Sequence, residues 1–190
     1  MIKKSWAALA LVLVLAASTG LGTAHAGLRE PRRRVVASFS ASFAPPILAV
    51  PCGAHFTYNR FVVTATGKEV DLSAPAAGLG GHFRVTLSWV EDPGLSVLGR
   101  MKAQLTDPSS GVTLYSGGGT FVGREGPLGT IAARGLLDAV LYANGSPTAR
   151  HLVANFAFQL GMESGHVSGG FGDDVPTGPS TAVETTAKNC

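Results

Sequence analysis

Arg134, Asp138 and Tyr142 recur at every fourth position of one segment, and His151, Asn155 and Gln159 do the same in the next. Residues an even number apart on a strand share a face. If 130–143 and 149–160 pair as a hairpin, these side chains form one polar patch. A cation, a carboxylate, a phenol and an imidazole brought together can bind a polar ligand or move a proton at neutral pH. On a water-facing sheet the same groups are ordinary surface residues, because antiparallel sheets commonly have one solvated face. The alternation fits both cases. Arg134, Asp138, Tyr142, His151 and Asn155 are therefore the candidate ligand-binding set, and which face is enclosed decides their role.

No other grouping carries a recognisable chemistry. His55, His82, His151 and His166 show no HExxH or His-x-His spacing, and no Cys/His cluster has metal-ligand intervals. There is no G-x-S-x-G elbow. Glu163, His166, Asp173 and Asp174 stand near glycine turns, where isolated acids are usually solvated. The pattern assigns no catalytic residue, metal or cofactor. Asn144-Gly145-Ser146 matches a glycosylation sequon, but Pro147 follows it, and the stretch reads as a tight turn.

The elements that must position the candidate set read as strands. Residues 35–43 alternate and predict an edge strand, stopped by Pro45-Pro46. Residues 55–66 are rich in Phe, Tyr, Val and Thr. From 82 to 90, Phe83, Val85, Leu87 and Trp89 share one face, and Glu91-Asp92-Pro93-Gly94 supplies turn chemistry. Residues 100–106 and 112–116 form a hairpin about Asp107-Pro108. The stretch 116–130 reads as too glycine-rich for a plain strand. The long strands 130–143 and 149–160 follow, then a shorter one at 166–171. The hydrophobic pattern predicts a register in which Leu141 faces Leu152, Leu137 faces Phe156, Gly135 faces Phe158 and Ala133 faces Leu160. It sets Tyr142 opposite His151, Asp138 opposite Asn155 and Arg134 opposite Gln159. Many short strands with no convincing helix point to an all-β antiparallel fold, a barrel of about eight strands or, second, a sandwich.

The ends of the chain read differently. Lys3-Lys4, an apolar run from Ala7 to Ala17 and Ala24-His25-Ala26 make a signal peptide over 1–26, cleaved before Gly27. The apolar run is shorter than the ~20 residues a spanning helix needs, so no transmembrane segment is expected after cleavage. Residues 27–50 are a basic arm with the possible edge strand, 51–172 the β domain, and 173–190 a flexible tail. The chain has 15 Lys and Arg against 12 Asp and Glu; losing Lys3 and Lys4 leaves 13 against 12. Arg32-Arg33-Arg34 is the one basic cluster along the sequence. With no basic face bearing interleaved aromatics, a nucleic-acid partner is not expected. The ten arginines and five lysines suggest a high-GC bacterial source. In an oxidising compartment two cysteines are more often paired than free. A Cys52–Cys190 disulfide is expected, against the alternative of two unpaired thiols.

The stretch GGGTFVGREGPLGT, residues 117–130, resembles the Gly-Thr-Phe-x-Gly rhythm of dirigent and allene-oxide-cyclase-like proteins. That resemblance implies an eight-stranded antiparallel barrel with a ligand cavity, and carries over no functional residue. LTDPSSGVTLYSGGG is similar to a hairpin of small exported actinobacterial proteins of unknown function. The resulting expectation is a secreted, non-enzymatic β protein that binds a small molecule or a surface component. A barrel-cavity cyclase or isomerase, and a structural cell-envelope protein, are the alternatives.

Overall fold

The computed structural model describes residues 34–73, 76–172 and 190. The expected signal peptide (1–26), residues 27–33 of the expected basic arm and residues 173–189 of the expected tail lie outside them. Among the described residues nine strands form: β1 (Ala37–Ser42), β2 (Val50–Cys52), β3 (Tyr58–Asp71), β4 (Gly81–Glu91), β5 (Ser96–Thr106), β6 (Thr113–Gly126), β7 (Thr130–Ala143), β8 (Ser146–Gly161) and β9 (His166–Phe171). Neighbours from β3 to β9 pair antiparallel in chain order. β1 then joins β9 to β3 and closes an eight-stranded barrel, with β2 added along the start of β3. The expected edge strand is therefore the closing strand, paired on both sides.

The register round the wall starts at Asn59 on β3, passes through Glu91, Val97, Gly123, Ala133, Phe158, Gly169 and Phe39, and returns to β3 at Glu69. That is a stagger of ten residues. A stagger of this kind tilts the strands by ~35–45° and leaves an interior that side chains can fill or that can hold one small ligand. Here side chains occupy it. Trp89, Tyr115, Phe83, Phe121, Phe156 and Phe171 are all buried. Phe61 stacks on Trp89 at 5.1 Å, Phe39 meets Phe83 at 4.8 Å, and Phe121 meets Phe158 edge-on at 5.0 Å.

Two sequence expectations need correction. The glycine-rich stretch does not interrupt β6, which runs unbroken from Thr113 to Gly126. The wall bends so sharply here that a Cβ at Gly119 would overlap the Leu136 carbonyl oxygen; glycine is what lets the strand continue. The β7–β8 register is also two residues away from the expected one. Asn144 and Gly145 both have positive φ (51° and 79°) and make a two-residue turn that sets Ala143 opposite Ser146. The three residues 148–150 then bulge against Leu141, tied by Thr148 Oγ1, which donates to the Leu141 carbonyl (2.7 Å) and accepts from Arg150 N–H (3.1 Å). Beyond the bulge Val140 faces His151, Leu137 faces Ala154 and Gly135 faces Phe156. It is the Phe156 ring, not that of Phe158, that uses the space at Gly135, where a Cβ would lie 2.8 Å from Phe156 Cζ. A slip of two preserves the faces, so the pattern identifies the apolar side correctly while misplacing its partners.

Candidate functional site

The candidate set lies on the outside of the barrel. Asp138 Oδ1 and His151 Nδ1 meet diagonally at 2.7 Å, with 60 % and 50 % of their side chains exposed. The register pairs Asn155 with Leu136, Arg134 with Ala157 and Tyr142 with Pro147. The expected direct pairs Tyr142–His151, Asp138–Asn155 and Arg134–Gln159 do not form. The fold brings Asp138 and His151 together and leaves them in water, where an ion pair contributes little to stability.

The interior holds polar groups that inspection of the sequence missed. Tyr115, fully buried, donates from its hydroxyl to Glu69 Oε2 at 2.5 Å, while Glu69 Oε1 has no hydrogen-bond partner among the described residues. Burial raises the Glu69 carboxyl to about 8, against the opposing hydrogen bond from Tyr115, and Asp71 adds to the rise. Burial likewise pushes the Tyr115 hydroxyl far up. Toward the other end Glu91 is buried beside Glu125 and is also raised, by desolvation first and by that neighbouring carboxyl second. Strand phase was the available signal. Phe61, Val63 and Ala65 face inward, and continuing by twos reaches Glu69; from Phe83 the same count reaches Glu91. Both pairs sit at the ends of the packed interior, and Glu91 Oε2, like Glu69 Oε1, has no hydrogen-bond partner among the described residues.

The outer wall of β3–β5 is the more distinctive surface. Lys68 pairs across from His82; Arg84 lies between Thr66 and Gln104; Lys102 lies beside Thr86, and Arg100 beside Ser88. All five basic side chains are exposed. Inward positions on these strands are taken by the core, so their cations all point one way. Among the described residues no carboxylate faces outward on β3, β4 or β5: Glu69 and Glu91 are buried, and Asp71 is spent on the Ser73 and Leu79 N–H groups (2.9 and 3.1 Å). Lys68, Arg84, Arg100 and Lys102 form no ion pair among the described residues. A shallow groove of about 550 Å³ runs through the patch, lined by Thr66, Lys68, His82, Arg84, Gln104 and Thr106. Along the chain the one evident basic run was Arg32–Arg34. This second one is invisible there because its members come from three strands.

Cys52 and Cys190 are disulfide-bonded, with Cα atoms 5.3 Å apart. The bond carries the last residue of the chain to β2. Among the described residues no helix is long and apolar enough to cross a membrane, and no three His, Cys, Asp or Glu side chains gather to hold a metal ion. No protein-family model, curated protein or solved structure matches the chain. The resemblance to dirigent and allene-oxide-cyclase-like barrels thus rests on the glycine-rich stretch and the strand count.

Proposed function

We propose that this protein is a secreted, non-enzymatic binding barrel whose ligand is a polyanionic surface component, held on the outer wall of β3–β5. The observation that carries the reading is the one-sided charge of that wall: Lys68, His82, Arg84, Arg100 and Lys102, interleaved with Thr and Gln donors, with no outward carboxylate on the same strands. Cations focused on one face attract anions well beyond what the near-neutral net charge would do. No Phe, Tyr or Trp faces outward from β4 or β5, so these strands lack the large stacking platform that single-stranded nucleic acid uses. Phosphate- or carboxylate-bearing polymers need only the charges and donors. The disulfide is compatible with export, and N-terminal sequencing of the protein from culture medium, expected to begin at Gly27, tests that part.

Polyphosphate binding measured against salt tests the site. Affinity should fall steeply with ionic strength, and each cation–phosphate interaction removed should flatten the log–log slope by roughly 0.7–0.9. In a Lys68→Ser/Arg84→Ser/Lys102→Ser variant most of the binding should disappear. Unchanged affinity and slope in that variant would overturn the reading.

A further inference from the structure

The connections at the end of the barrel where β4 turns into β5 display large apolar side chains. Phe56 stands between β2 and β3, Leu95 between β4 and β5, and Leu128 between β6 and β7; they are 76 %, 42 % and 80 % exposed. The last two turns are held side by side by the Glu125 N–H, which donates to the Leu95 carbonyl at 2.8 Å. All three residues have positive φ (54°, 62° and 60°), a conformation rare for bulky side chains. Each turn is pinned by its own hydrogen bonds: Thr57 Oγ1 donates to the Ala54 carbonyl, Leu95 N–H to the Asp92 carbonyl, and Thr130 N–H to the Pro127 carbonyl. Three neighbouring turns thus hold an exposed apolar residue in an unfavourable backbone state.

Arginines stand behind these tips. Arg60 is four residues from Phe56, Arg100 five from Leu95 and Arg124 four from Leu128, and each is exposed on a strand. None forms an ion pair among the described residues. Of the carboxylates at this end, Glu91 is buried with half-buried Glu125 beside it, Asp92 accepts from the Ser96 N–H, and exposed Glu163 lies on the β8–β9 turn. The strand portions between tips and arginines, residues 58–60, 96–100 and 124–126, advance roughly 7, 13 and 7 Å, or about 5–10 Å along the axis of a barrel with tilted strands. Apolar groups at a bilayer interface enter ~5–10 Å into the headgroup and acyl boundary. The guanidinium groups then fall at the level of the lipid phosphates.

We infer that this end of the barrel docks on an anionic lipid surface, Phe56, Leu95 and Leu128 entering the acyl boundary and Arg60, Arg100 and Arg124 meeting the phosphates. Separate projecting tips backed by cations match a deformable, negatively charged surface. The inference shares Arg100 with the polyanion-binding wall but uses none of Lys68, Arg84 and Lys102, so substituting those three separates the two.

Co-sedimentation with vesicles tests it, using phosphatidylcholine alone and an equal mixture with phosphatidylglycerol. The protein should pellet with the mixed vesicles and far less with the neutral ones. A Phe56→Gly/Leu128→Gly variant should lose binding by roughly tenfold or more. Its melting temperature should hold or rise, because glycine accepts positive φ. The Lys68→Ser/Arg84→Ser/Lys102→Ser variant should still pellet. No pelleting of the wild type with mixed vesicles, or undiminished pelleting of the glycine variant, would overturn the inference. So would a dimer in light scattering that the glycine variant dissolves, since the tips would then be packing against a second copy.

Discussion

The two ends of the barrel solve the same problem in opposite ways. At one end β5 turns into β6 through Asp107-Pro108-Ser109-Ser110-Gly111. Asp107 accepts from Ser109 N–H, Ser110 N–H and Ser110 Oγ, which hold its carboxyl below the usual range. The backbone there turns on Gly111, Asn144 and Gly145, residues suited to positive φ. At the other end the positive-φ positions include His55, Phe56, Leu95 and Leu128. The first end shows that this wall closes with ordinary turn chemistry. Bulky residues at the second are therefore not required by closure. Strain kept where the fold does not need it is a sign of a role at the surface.

The interior sharpens the contrast. Glu69 and Tyr115 pin the first end from within, and their effect should be the largest. Because the folded value of Glu69, about 8, lies above its ordinary value of 4.5, the neutral carboxyl costs nothing below the ordinary value. Stability should then erode as pH rises toward 8 and level off beyond it, by several kcal/mol and at most ~5. Denaturant melts at pH 5 and pH 8.5 measure this together with the same-signed contribution of Glu91, and Glu69→Gln should remove the Glu69 share of the slope. A barrel equally stable at both pH values would remove Glu69 from the account.

The disulfide belongs to the apolar end, where β2 begins the path to Phe56. It closes a loop with a sequence separation of 138. Cys190→Ser should cost ~2–4 kcal/mol, read as a lower denaturation midpoint. A shift near zero would mean that β2 and its turn hold without the bond.

The turns allow a direct comparison of signs. Leu128→Gly should stabilise the fold by up to ~1 kcal/mol, while Asn144→Gly should gain only a few tenths, because Asn tolerates the left-handed region. Equal gains in thermal melts would mean that the two ends are not differently strained. Smallest of all, Asp138→Leu should change stability by less than ~0.5 kcal/mol, since the Asp138–His151 pair is solvated. A larger loss would show that the outer wall is covered in solution.

Much of this molecule is legible along the chain. Period-two alternation identifies β4, β7 and β8 and the face of each that turns inward, because burying one side of a strand selects every second residue. The two-residue turn at Asn144-Gly145 follows from residues that accept positive φ, and the cysteine pairing from there being two in a chain that reads as exported. Partners are another matter. The β7–β8 register turns on a three-residue bulge stabilised by Thr148, a side chain with no special local signature. The passage of β6 through its glycines depends on how closely the β7 backbone approaches, a property of wall curvature. The cationic wall and the apolar tips are sets drawn from separate strands and turns, so no window of sequence contains them. Pattern along one strand reports which side is buried, because that is set by the residues themselves. Which residues become neighbours across strands is set by closure, stagger and bulges, and those exist only once the barrel has formed.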